Sequence, residues 1–79
     1  MKFVLQANEL EGGQSGDILR QEVEWPVLPR IGEMVGIEGN CHEVVSVYHE
    51  MDTSDWLILV AVDMGSQDFN LLPKDTWHP

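Results

Sequence analysis

The chain has 79 residues, 43% of them apolar, and sets fourteen Asp and Glu against four Lys and Arg for a formal net charge of −10. A chain this short buries only ~60% of its unfolded surface, which leaves room for one core and little for an enclosed active site; the apolar content and three Trp also exclude a disordered acidic tail. The charge argues against nucleic acid and anionic membrane as direct partners and makes a basic surface the natural complement, with plain solubility as the competing reason for the acidity.

In chain order, Lys2 to Ala7 reads as a strand, and Asn8 to Gly16, with its glycines and polar residues, as a loop. Ile18 to Val27 alternates: Leu19, Val23, Trp25 and Val27 share a face with Gln21, while Arg20, Glu22 and Glu24 point the other way. Ile18 departs from that pattern, which places a bend or the start of the strand there. Pro26 and Pro29 remove backbone donors, so this strand must lie at an edge at its end and stop near Leu28. Arg30-Ile31-Gly32-Glu33 reads as a turn. Met34 to Glu38 is a short strand, Gly39-Asn40 a tight hairpin turn, and Cys41 to His49 the returning strand, with Val44, Val45, Val47 and Tyr48 supplying both faces. After the acidic stretch Glu50 to Asp55, the apolar run Trp56 to Val62 belongs at the centre of a sheet. It is far shorter than the ~20 residues of a membrane helix. A loop follows Asp63, Phe69 to Leu72 forms a short strand or a helical turn ended by Pro73, and Trp77 either docks on the body or stays exposed. Short strands, tight turns and no amphipathic helix predict an all-β fold over residues 1–79, a small five-stranded antiparallel SH3-like partly open barrel, since closure removes exposed edges.

Chemistry-bearing residues are few. Cys41 is the only cysteine, which fits a reducing compartment and predicts a cytoplasmic location in a host cell; Met1 to Gln6 lacks the ~7–15 apolar residues of a signal-peptide core. Cys41, His42 and His49, followed by Asp52 and Asp55, are the best metal candidates. On a regular strand His42 and His49 face opposite sides, and Cys41 lies ~26 Å from His49, beyond reach of one ion unless a bulge intervenes. Cys41 and His42 diverge across the strand, so they make no nucleophile and base pair. Gly12-Gly13 lacks the spacing of a phosphate-cradling loop. These readings predict no catalysis, no metal and no cofactor. Trp25 and Trp56 fall in apolar strand patterns and read as core.

The acidic residues are the functional candidates. Glu22 and Glu24 project ~6.6 Å apart from one side of a strand. Glu50, Asp52 and Asp55 share a loop, and Glu33, Glu38 and Glu43 surround the hairpin. Brought together, such carboxylates make a rigid negative patch suited to a Lys- and Arg-lined groove built for phosphates.

The stretch Trp25-Pro26-Val27-Leu28-Pro29-Arg30-Ile31-Gly32-Glu33-Met34-Val35, then Gly39-Asn40 and the Val-rich strand through Tyr48-His49, resembles small barrel proteins of phages and mobile elements. With the size and acidity it also resembles anti-CRISPR proteins. That resemblance implies a non-enzymatic inhibitor that binds the basic, nucleic-acid-binding surface of a CRISPR-type effector complex, acting as a monomer or weak dimer. The alternative is a small barrel adaptor whose contact surface is aromatic, through Trp77 or Tyr48.

Overall fold

Period-two runs of β-branched and aromatic residues build five strands in the computed structural model, which describes residues 1–11, 14–51 and 56–79. The strands are β1 (Lys2–Glu11), β2 (Gln14–Glu24), β3 (Met34–Ile37), β4 (Asn40–Met51) and β5 (Trp56–Gly65), followed by a short helix α1 (Ser66–Asn70). They form a single sheet in the order β2-β1-β5-β4-β3 that curls into a half-barrel, so the small all-β, partly open barrel expected from the sequence is the fold observed. The apolar run does lie at the centre, on β5, where Leu59, Val60, Ala61 and Val62 are all buried.

The sheet is mixed where antiparallel pairing throughout was expected. β2 folds back along one edge of β1. The other edge of β1 is filled by β5, running parallel to it, with Leu5 opposite Val60 and Ala7 opposite Val62. Between these two strands the chain crosses from β2 to the far side of the sheet and lays down β3 and β4, so its return on β5 has the direction of β1.

Several local expectations shift. The loop placed at Asn8 to Gly16 is mostly strand: β1 continues to Glu11 and β2 begins at Gln14, with an irregularity between Asn8 and Leu10 that absorbs the polar residues. Ile18 is a paired, exposed residue of β2 and not its beginning. β2 ends at Glu24, earlier than Leu28, and Val27 is 74% exposed. The tight turn is Glu38-Gly39, one residue earlier than expected, because Ile37 pairs with Asn40. Both turn residues have positive φ, 51° and 85°, the geometry whose twist matches a two-residue hairpin. In β4 the register slips between Val44 and Ser46, so Val44 and Val47 both reach the core while Val45 and Tyr48 are exposed. β5 runs on to Gly65 in place of a loop, and Phe69 belongs to α1.

The concave face holds the core. Phe3, Leu5, Ala7, Leu19, Val35, Ile37, Val44, Val60, Val62 and Met64 come from the strands; Phe69, Leu72 and Trp77 come from the C-terminal segment that covers them. Trp25 stands edge-on to Phe3, with centroids 5.3 Å apart and planes at 84°. Trp77 docks: it is 3% exposed, and just beyond it His78 exchanges backbone hydrogen bonds of 2.6 and 2.9 Å with Arg20 at the open edge of β2. The expectation for Trp56 falls on a side chain outside the described residues.

Candidate functional site

Residues paired across neighbouring strands point to the same side, so the register assembles the outer, convex face row by row. One row reads Glu22, Val4, Leu59, Tyr48 across β2, β1, β5 and β4. The next reads Glu24 and Lys2, then Leu57 and Glu50, Lys2 lying beside Leu57 when the parallel register is continued two positions back from Val4 and Leu59. At ~4.8 Å between strands each row is ~14 Å wide. The result is an apolar strip in which Leu57 and Tyr48 are 36% and 39% exposed, Val4 is half-buried and Leu59 is fully buried, bounded by Glu22 and Glu24 on one side and Glu50 on the other. Lys2 lies inside it, its Nζ 3.3 Å from Glu22 Oε1. That exposed pair offsets one charge and contributes only ~0.2–1 kcal/mol.

Beyond the strip, a polar chain crosses the same face. Arg20 Nε donates to Gln6 Oε1 at 2.9 Å, Gln6 Nε2 to Asn8 Oδ1 at 2.9 Å, and Asn8 Nδ2 to Asp63 Oδ1 at 3.1 Å. Gln6 is only 6% exposed and uses both ends of its amide, which ties β2, β1 and β5 together and stiffens the platform.

The candidate carboxylates therefore separate into two groups. Glu22, Glu24 and Glu50 frame the strip. Glu43 lies on the outer side of β4 opposite Met34, ~23 Å along the strand from Glu50. Glu38 occupies the hairpin tip, and Glu33 closes the turn before β3, its Oε1 accepting from the Arg30 N–H at 2.6 Å. Asp52 and Asp55 lie outside the described residues.

Cys41 and His42 diverge as expected, Cys41 exposed and His42 buried opposite Val35. Among the described residues no three His, Cys, Asp or Glu side chains gather in a way that would hold a metal ion, and no helix is long and apolar enough to cross a membrane. Sequence reasoning missed two features. Val4 and Leu57 join Tyr48 in the outer strip, a placement that depends on the parallel register. A groove of about 730 Å³ also lies between the Trp25–Arg30 segment and β3. Its signal was the Trp25-Pro26-Val27-Leu28-Pro29 run, in which the strand alternation set Val27, 74% exposed, on one face with Trp25.

No protein-family model matches the chain, and no curated protein or solved structure is significantly similar to it.

Proposed function

We propose that this protein is a non-enzymatic acidic inhibitor that docks its outer sheet face on a basic, nucleic-acid-binding surface of a CRISPR-type effector complex and so blocks target binding. The observation that carries the reading is the apolar strip around Val4, Leu57 and Tyr48 framed by Glu22, Glu24 and Glu50. An apolar centre supplies contact area, and carboxylates at its rim steer a Lys- and Arg-rich partner into place. The net charge of −10 acts in the same direction at longer range.

The test is competition: the protein is titrated into an effector complex bound to labelled target nucleic acid at several salt concentrations. Inhibition weakens steeply with salt, and the triple charge reversal Glu22→Lys, Glu24→Lys, Glu50→Lys abolishes it. Inhibition that survives the reversal in a folded variant, or that is indifferent to salt, sinks the reading. A second reading, an adaptor with an aromatic contact, is favoured by the exposure of Tyr48 within the same strip; Trp77, being buried, takes no part. In that case Tyr48→Ala removes binding to the partner and the charge reversals are silent.

A further inference from the structure

The free edge of the sheet on β3 is a separate surface. Val44 N donates to Glu33 O at 2.9 Å, which sets the alternation of the β3–β4 ladder. With Met34 opposite Glu43 and Gly36 opposite Cys41, the backbone groups of Val35 and Ile37 point toward β4, and those of Met34 and Gly36 point away from it. Among the described residues neither Met34 nor Gly36 has a backbone partner on that side, and both are exposed. The edge does not face open solvent alone. Across the groove stand Trp25, Pro26, Val27, Leu28 and Pro29, an apolar wall with no hydrogen bond to β3.

We propose that this edge takes up an extended peptide segment with alternating basic and apolar residues, which adds as a sixth strand beside β3. The backbone of the segment would pair with Met34 and Gly36, while one set of alternate side chains fills the apolar groove. The other set meets Glu43, which faces Met34 on the outer side, and Glu38, which follows β3 at the hairpin, while Glu33 lines the groove itself together with Arg30. That excess of negative charge selects a cationic segment. It also disfavours a second copy of the chain, since edge-to-edge pairing would oppose these carboxylates to their own counterparts at −10 per molecule. The proposal uses a different surface from the outer strip and stands or falls independently of it.

The probe is the synthetic peptide acetyl-Lys-Val-Lys-Val-Lys-Val-Lys-amide, followed by amide hydrogen exchange and chemical-shift changes on the full chain. At saturation the Met34 and Gly36 amides exchange about tenfold more slowly or better, while Val35 and Ile37, already bonded to β4, change little. Gly36→Pro removes an outward donor that the ladder does not use, and it weakens binding about tenfold, the equivalent of one lost hydrogen bond. Should that variant not fold, Val27→Asn, which removes apolar surface at an exposed position in the groove wall without adding charge, replaces it with the same expected loss. A peptide carrying Glu for Lys does not bind, nor does one N-methylated at alternate amides on its pairing edge. Protection that appears elsewhere, undiminished binding to folded Gly36→Pro, or equal binding of the N-methylated peptide overturns the proposal. So does a concentration-dependent dimer that protects Met34 and Gly36 without peptide, which would assign the edge to a second copy.

Discussion

Trp77 lies in a stretch of prolines and polar residues, yet its indole completes the core beside Phe69 and Leu72. Truncation there opens a large cavity under the C-terminal segment. Trp77→Ala is expected to cost ~3–5 kcal/mol, read as a fall in the urea midpoint at unchanged slope. Glu38 presents the opposite case, a charged residue held at φ 51° by the hairpin around it. A left-handed conformation costs an ordinary side chain ~1–2 kcal/mol, and Asn tolerates it better, so Glu38→Asn should raise stability by about 1 kcal/mol in thermal unfolding. At Gln6 the prediction rests on satisfaction. Gln6→Ala leaves the Arg20 Nε and the Asn8 Oδ1 without their partner at a nearly buried position, for a loss of ~1–3 kcal/mol.

The four-residue β3 separates two kinds of backbone group within one element. Val35→Pro removes a ladder donor and a core side chain together, and it should destabilise the protein by about 2 kcal/mol or more. Gly36→Pro, one position on, should change stability by about 1 kcal/mol or less, because its N–H points away from β4. Chemical denaturation of the two variants side by side checks the register of the edge without reference to any ligand. Equal losses would place the outward groups elsewhere. On β4 the slip between Val44 and Ser46 turns the strand so that Tyr48 joins the outer row with Leu59. A regular strand would have sent Tyr48 inward with Val44, and the outer strip would lack its aromatic residue.

Across the whole molecule, fourteen carboxylates on a body with a Cα radius of gyration of 12.3 Å repel one another in the folded state more than in the expanded one. Stability should therefore rise with added sodium chloride between about 0.02 and 0.5 M, where the screening length shrinks from ~20 Å to a few Å. A urea midpoint that is flat or falling over that range would mean that the charges are already spaced widely enough not to interact. The same salt weakens docking of the outer face on a basic partner, so the two responses have opposite signs and can be measured on one preparation.

The strand content, the hairpin around residues 34–49, the central place of Trp56 to Val62 and the sign of the surface potential were legible in the chain itself. Each depends on neighbours close in sequence or on a sum over all residues, and period-two alternation or a charge count reads them directly. Tertiary structure alone decided the parallel pairing of β1 with β5, the burial of Trp77 and the division of the carboxylates between the outer strip and the β3–β4 hairpin. These depend on partners more than fifty residues apart and on register slips that reverse which side a residue faces. Glu22 could be placed on a charged strand face from sequence, but Glu50, expected in a loop beyond His49, lies on β4, which runs on to Met51, and only the β2-β1-β5-β4 order sets the two on opposite flanks of the same apolar strip. Strand alternation assigns a side chain to a face of its own strand; which strands stand beside it is settled by how the chain crosses from one edge of the sheet to the other.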